Sequence, residues 1–438
     1  MINTKITNKC GAITRKILNP CCRIVSMGKG NAMNFDYIII GAGVIGSSIA
    51  YHLKSALPDS KILLLDRNHT AGAGNTARSA ALYRNFFSSR TSRMLAESSI
   101  RYYLELGDKV QLKPIGYLWL FSEEQWAGSQ KAIKQLDPQK NKFEILDRAT
   151  VTDILRLNTD AKAPFPEVHA GIYCHLCGSI NGMALARHYA SEFKSLGGDV
   201  SFDTDIKSFI LTGQKSCYAP WDDVKVSGIT DQKGNTYYGE QFVIATGAWT
   251  HDLLAPVGIA SSVLPKKRQL FALSIKNRDQ LLVRPDSDKK PAIILPAGGV
   301  YIKPVLERNM LIAGCADDLG QPFMMSNPEP DIRYFHNAIE PVLNHYFPEL
   351  SDYKLSLKWA GYYDYHWPDM TPVIESEANI TWVSGTSGSG IMKADAIGRI
   401  AAAGLQGKDE AVLADGTRFE VSRLSLRRRD VEREELII

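Results

Sequence analysis

The sequence predicts an α/β protein: a largely parallel sheet covered by helices, with antiparallel strands set into the middle of the chain. Three observations predict this. Residues 35–66 read as a strand, a glycine turn, a helix and a second strand. Residues 237–245 read as another apolar strand, which runs into a glycine turn at Thr246-Gly247. Between residues 269 and 314 the pattern changes to short alternating strands, as in an antiparallel sheet.

The opening unit runs from Phe35-Asp-Tyr-Ile-Ile-Ile through Gly41-Ala-Gly43-Val-Ile-Gly46 and a helix to Lys61-Ile-Leu-Leu-Leu-Asp66. Gly41 lets the chain turn sharply out of the strand, and Gly43 lets the backbone approach a pyrophosphate. Gly46 lets the helix pack close to the sheet. Val44 and Ile45 stand at the helix N-terminus, which offers free N–H groups and the positive end of a dipole. Asp66, about twenty residues further on with Arg67 beside it, suits the hydroxyls of a ribose. Strand, turn, helix and acid together predict a dinucleotide site; the competing reading is a glycine-rich turn with no ligand.

A chain of 438 residues can bury a large core, either as two closely connected domains or as one elaborated domain. The net charge of +4 does not argue for a nucleic-acid partner. No apolar run reaches the roughly 18 residues of a membrane helix, so no transmembrane segment is expected. The seven cysteines, at 10, 21, 22, 174, 177, 217 and 315, show no regular framework and fit a reducing compartment. Residues 1–33 carry Lys5, Lys9, Arg15, Lys16, Arg23 and Lys29 and no acid. Such a leader resembles a mitochondrial transit peptide; the plainer readings are a disordered extension or a natural start at Met33. The expected location is cytoplasmic, with the mitochondrial matrix as the alternative.

Along the chain, a loop dense in small residues and arginine spans 71–87, and apolar spacing predicts a helix over 88–107. Ile115–Phe121 reads as a strand, and 122–165 as charged and helical in pieces. A helix over 182–195 leads through Gly197-Gly198 to a strand at 199–202, followed by strands at 224–231 and 237–245. The alternating segment gives strands at 269–275, 292–295, 300–304 and 310–313. A helix near 331–345, a strand pair within 371–384 and a helix from Gly390 complete the pattern. The division expected is one unit over 34–420, with dinucleotide-binding parts at 34–112, 166–255 and 370–420. Residues 113–165 and 256–369 form the substrate part, and 421–438 a charged tail whose Arg427-Arg428-Arg429 run is solvated.

Five segments, in this order, resemble the D-amino-acid-oxidase-like family of flavoproteins, which includes glycine and sarcosine oxidases and D-amino-acid dehydrogenases. They are the opening fingerprint; Gly74-Asn-Thr-Ala-Arg-Ser-Ala-Ala-Leu-Tyr-Arg84; Val243-Ile-Ala-Thr-Gly-Ala-Trp249; Pro265-Lys-Lys-Arg-Gln-Leu-Phe271 with Gly299-Val-Tyr-Ile-Lys-Pro304; and Gly385-Thr-Ser-Gly-Ser-Gly-Ile-Met392. The second, fourth and fifth are loosely nearest D-arginine-type dehydrogenases. The resemblance implies FAD, held by a Rossmann-like (GR2-type) domain against an interleaved antiparallel substrate sheet. It implies oxidation of a C–N bond in an amino acid or N-methylated amino acid, by hydride transfer to flavin N5. The electron acceptor would be oxygen, a quinone or another protein.

Beyond the fingerprint residues, the resemblance places Thr76, Arg78, Ser79, Ala80, Ile206, Gly247, Trp249, Gly388, Gly390, Ile391 and Met392 at the cofactor. Arg84, Arg268 and Tyr301 become the substrate clamp, because an amino-acid carboxylate suits a guanidinium fork and a phenol. Lys266 and Lys267 are neighbouring alternatives to Arg268. The chain also departs from its relatives. Where sarcosine-type members carry a lysine after Gly-His-Gly-Phe, this chain has Met392, and Lys393 one place later is rotated by about 100° on the helix. Where D-arginine-type enzymes carry a substrate arginine and a loop histidine, it has Tyr363 and Leu82. Without the usual histidine pattern or a cysteine equivalent, FAD is expected to be non-covalent. Alternatives to the amino-acid enzyme are a non-catalytic flavoprotein and a 2-hydroxy-acid dehydrogenase.

Cys174-His-Leu-Cys177 lacks a second pair at zinc spacing and reads as structural, and no metal site is expected. Cys315 reads as a buried strand-end residue. His366 sits among aromatics as either a pocket or a structural residue. Tyr362, Tyr363 and Tyr365 either line a site or pack a sheet edge.

Overall fold

The computed structural model describes residues 34–436 apart from 137–140, 156, 214–223, 277–289, 318–320, 322, 324–327 and 351. The basic leader therefore lies outside the described residues. Two sheets carry the fold. The first runs in the order Val373–Glu377, Ile380–Ser384, Thr236–Ile244, Asn34–Ile40, Ile62–Leu65 and Asp199–Ser201, with Val226–Asp231 and Ile206–Leu211 attached at its side. Asn34–Ile40 is parallel to both of its neighbours. Its run of three isoleucines has a physical reason: both faces of the sheet are covered, so alternation gives way to continuous apolar sequence. Ile39, Leu64 and Val243 pack on one face, while Ile38, Leu63 and Phe242 pack on the other.

Helices Val44–Ala56, Arg90–Leu106, Gly182–Ser195 and Gly390–Leu405 contribute buried residues to the first of these faces. Gly182–Ser195 has the bounds its sequence pattern predicts, with the Asn181 side chain accepting from the Ala184 N–H as its cap. The first and last of the four helices approach closely. A Cβ on Gly398 would sit 2.1 Å from Ser48 Oγ, so that crossing admits only glycine.

The second sheet has the order Tyr353–His366, Val263–Ile275, Met310–Cys315, Val300–Val305, Ala292–Ile294, Tyr117–Phe121, Ala170–Cys174 and Phe143–Asp147. It is antiparallel except where Ala292–Ile294 runs parallel to Tyr117–Phe121. Several features differ from the sequence expectation: Phe143–Asp147 is a strand within a stretch read as helical in pieces, and Ala170–Cys174 is a strand where none was expected. Val263–Ile275 begins before residue 269, and its partner Tyr353–His366 lies in a stretch with no predicted strand. Lys, Ser, Gly and Asp interrupt the apolar run of that partner, so its strand character comes from pairing along the whole of Val263–Ile275. The helical stretch after Asp331 passes through a wide π turn, Phe335–Ile339, before continuing as Glu340–Tyr346. Pro341 has no N–H to continue the regular ladder there.

Residues 421–436 are not a solvated tail. Arg429 Nε and Nη2 donate to the Asp369 carboxylate at 2.5 and 2.6 Å, and Arg427 pairs with Glu377. Arg427 and Arg428 stay exposed, and only Arg429 is half-buried. Among the described residues no helix is long and apolar enough to cross a membrane.

Candidate functional site: two adjoining cavities

A cavity of about 360 Å³ opens beyond the C-terminal ends of Asn34–Ile40 and Thr236–Ile244, where open α/β sheets bind ligands. Gly41, Gly43, Val44, Ile45, Asp66, Arg67, Thr76, Ser79, Ile206, Gly247, Trp249, Gly388, Gly390 and Ile391 all line it. The glycine turn has the form its spacing predicts. Gly41 has φ +103°, and a Cβ on it would meet the Ala245 carbonyl oxygen at 2.6 Å. A Cβ on Gly46 would lie 1.8 Å from the Gly41 carbonyl oxygen, which accounts for the absence of Gly46 from the cavity wall. On Gly43 a Cβ would meet only Thr76 Oγ1, at 3.5 Å, so packing does not demand glycine there. No side chain caps the helix at Gly43, which leaves its first turn open to an anion, although Val44 N–H donates to Thr76 Oγ1 at 3.2 Å.

Asp66 also orders the turn. Its Oδ2 accepts from the Ala42 N–H at 2.6 Å, and its Oδ1 accepts from the Asn68 N–H and Nδ2 at 2.8 Å each. Arg67 lies 4.2 Å over the Trp249 ring, forming a flat cationic and aromatic wall. On the far side the turn Gly385–Gly390 is held by Asp364, which accepts from Thr386 N–H at 3.1 Å and Oγ1 at 2.6 Å. Burial pushes that carboxyl above its ordinary range, against the pull of these bonds. Gly388 has φ +82°, and a Cβ on it would strike the Tyr363 ring at 2.3 Å. Asn75 Oδ1 accepts from the Tyr362 N–H at 3.0 Å and ties the small-residue loop to the strand Tyr353–His366. A phosphate-accepting helix end, a ribose acid, a stacking wall and glycines with room beside them fit FAD.

A second cavity, about 40 Å³, adjoins the first and shares Ser79, Tyr363 and Gly388 with it. Ala80 and Met392, predicted at the cofactor, line this one instead, together with Arg84, Tyr117 and Tyr301. The Arg84 guanidinium donates to the carbonyls of Phe86 and Leu436 and lies 4.0 Å over the Phe87 ring. Its Nε has no hydrogen-bond partner among the described residues. Burial lowers its pKa, opposed by Tyr117 and Glu434. Burial likewise pushes the phenols of Tyr117, Tyr301 and Tyr363 up, so each keeps its proton at neutral pH.

The structure thus brings Arg84 and Tyr301 together but not Arg268. That guanidinium donates to Tyr365 Oη at 2.5 Å and to the Asp317 carbonyl at 3.1 Å, and it lines neither cavity. It lies behind the cavity wall, 5.3 Å from the Tyr363 ring. Lys266 lies 4.1 Å over the Phe323 ring. Arg78, predicted at the cofactor, is exposed and lines neither cavity; its carbonyl accepts from Trp359 Nε1 at 2.9 Å. His366 is buried against Ser262 and Ser387 and lines neither cavity. Tyr362 and Tyr363 line the first cavity, whereas Tyr365 packs behind. Cys177 Sγ donates to Asn85 Oδ1 at 3.2 Å, and no cluster that could hold a metal occurs among the described residues.

Lys393 is fully buried, donates to Ser92 Oγ at 3.0 Å and is driven by burial down to about 7. It lines neither cavity, as its offset on the helix requires. Sequence reasoning missed Tyr117, Lys303, Glu434 and Leu436. Lys303 donates to the Ala80 carbonyl at 2.6 Å, and burial lowers it to about 8. Its signal was present: in a strand, residues 301 and 303 share a face.

The family model for FAD dependent oxidoreductases (DAO) matches residues 36–403. The chain belongs to this family. FAD is accordingly its cofactor, and the chain is an oxidoreductase. It is 25% identical over 417 residues to FAD-dependent oxidoreductase domain-containing protein 1 of Xenopus laevis, covering 84% of this chain and 78% of that protein. It is 24% identical over 345 residues to glycine oxidase of Pseudomonas aeruginosa, covering 75% of this chain and 82% of that one. In fold it is similar to L-proline dehydrogenase from P. horikoshii, with TM-score 0.70 and 21% identity over 86% of this chain and 95% of that chain. Glycine oxidase from Geobacillus kaustophilus likewise gives a TM-score of 0.70, at 19% identity over 90% and 98% of the two chains.

Proposed function

We propose that this oxidoreductase acts on the C–N bond of a small amino acid or N-methylated amino acid. The observation that carries the reading is the second cavity: a buried guanidinium and three protonated phenols beside the cofactor site, in a space of about 40 Å³. Arg84 would take the substrate carboxylate, a planar acceptor that suits its fork. Tyr301 and Tyr363 would donate to the carboxylate or orient the amine. Being protonated, they are donors rather than bases, so the substrate amine must reach the site already neutral. FAD supplies the acceptor for the hydride of the Cα–H bond. Among the described residues no histidine or cysteine lines either cavity. The names of the relatives agree with the class: glycine oxidase and L-proline dehydrogenase act on amino acids.

The test is an anaerobic absorbance titration of the holoprotein with D- and L-amino acids and N-methylglycines. Bleaching of the flavin band at about 450 nm by one of them supports the reading and names the class. A flavin that none reduces contradicts it, and moves weight to a 2-hydroxy acid or a non-catalytic role.

A further inference from the structure

Leu436 stands where a substrate carboxylate would. Its carbonyl accepts from Arg84 Nη2, and its side chain helps close the second cavity. A main-chain carbonyl is a neutral acceptor and a carboxylate is a charged one. Charge-assisted bonds are roughly twice as strong as neutral ones, so a carboxylate is the better partner for that guanidinium. Among the described residues no carboxylate forms an ion pair with Arg84, which leaves its charge without a direct counter-ion.

The segment that carries Leu436 is pinned at defined points. Arg429 is held by Asp369, and Arg433 Nη1 donates to the carbonyls of Trp367 and Pro368 at 2.8 Å each. Glu434 is the last anchor. Its Oε1 accepts from Ser88 N–H and Oγ and from the Leu436 N–H, and its Oε2 accepts from Ser89 N–H and Oγ. Five donors saturate the roughly four lone-pair sites of a carboxylate. Glu434 therefore has nothing left for a substrate amine, although it lines the cavity. Burial pushes its carboxyl up, but Lys393, Arg84 and the serine bonds outweigh that and hold it below its ordinary range. Beyond this anchor Glu435 is exposed, and Leu436 is only partly buried.

We infer that residues 434–436 form a gate on the substrate cavity, with Glu434 as a positioning residue and the Leu436 carbonyl as the group a substrate carboxylate displaces from Arg84. The inference rests on the carboxylate-clamp reading of Arg84. With the gate in place the guanidinium is held in position by a weaker ligand; binding exchanges that ligand for the substrate. The gate sets affinity for every carboxylate and sets which substrates have room.

The test uses FAD-loaded protein and acetate, followed by perturbation of the flavin spectrum. Ending the chain after Arg433 is expected to tighten acetate binding about tenfold, by removing the competing ligand. Arg84→Met is then expected to weaken acetate about tenfold in the full chain but about a hundredfold in the shortened one, because only there does it remove an unopposed interaction. Glu434→Ala in the full chain should tighten binding in the same direction, which keeps the test alive should the shortened chain misfold. Hydrogen exchange across 429–436 in the full chain should quicken on saturation with acetate. Equal acetate affinity in full and shortened chains, with Arg84→Met equally harmful in both and exchange unchanged, would overturn the gate and leave the clamp standing. Acetate binding to neither chain would overturn both.

Discussion

The two cavities are built from different materials. The larger one is mostly backbone: Gly41, Gly43, Gly247, Gly388 and Gly390 shape it, and Asp66 and Asp364 hold its turns by accepting from backbone N–H groups 24 and 22 positions away. The smaller one is mostly side chain: Arg84, Tyr117, Tyr301 and Tyr363 converge on it from distant parts of the chain, and Glu434 and Leu436 line it as well. The difference follows from the ligands. A cofactor shared by a whole family is recognised through geometry that short local sequence can encode. A substrate is recognised through side chains that only tertiary structure assembles, and these can change without disturbing the cofactor site.

Substitutions in the two regions should therefore fail in different ways. The largest effect is expected at Gly46. With its Cβ 1.8 Å from the Gly41 carbonyl, Gly46→Ala should destabilise the fold by about 3 kcal/mol or more, read as a lower melting temperature together with loss of flavin. Gly43→Val should abolish flavin retention while the apoprotein melts as before, since packing does not require glycine there; a yellow, fully loaded variant would sink the phosphate-cradle reading. Next comes Arg84→Met, expected to keep its flavin and lose about tenfold in carboxylate affinity. Flavin loss in that variant would erase the separation between the two cavities.

The smallest effect concerns Lys393, behind the substrate cavity. Its folded pKa of about 7 lies below its ordinary 10.5, so between these values the unfolded chain binds the extra proton. Stability then rises as pH climbs from 7 towards 10.5 and is lowest below 7, where a charged ammonium is buried. Lys393→Met should remove this rise, raising the melting temperature at about pH 6 more than at about pH 10. An unchanged pH profile would contradict the burial argument.

How much was legible in the sequence divides along the same line. The opening glycine fingerprint and the helix Gly182–Ser195 could be read directly, the first from its strand–turn–helix spacing and the second from its periodicity and cap, whereas the Gly385–Gly390 turn came with the family resemblance and is held by Asp364, 22 positions away. Arg84 and Tyr301 were reachable through the family resemblance; Arg268, reached the same way, lines neither cavity, because Tyr365 and Asp317 engage it behind the wall. The strand Tyr353–His366 escaped because its pattern is broken by polar residues and its order comes from pairing. Glu434 and Leu436 had no local signal. Their partners lie 346 and 352 positions earlier in the chain, and a run of charge in a final segment reads as solvated until its counter-ions are seen.

On the proposed function the smaller cavity binds an amino-acid carboxylate through Arg84 beside the flavin. This binding is tested most directly by anaerobic reduction of the holoprotein with each amino acid alongside the 2-hydroxy acid of the same skeleton, in wild type and in Arg84→Met. The account predicts bleaching by an amino acid and not by its hydroxy counterpart, with the Arg84→Met protein needing far more substrate to reach the same end point. Reduction by the hydroxy acid alone, or an Arg84→Met protein that bleaches at the same concentration as wild type, would contradict it.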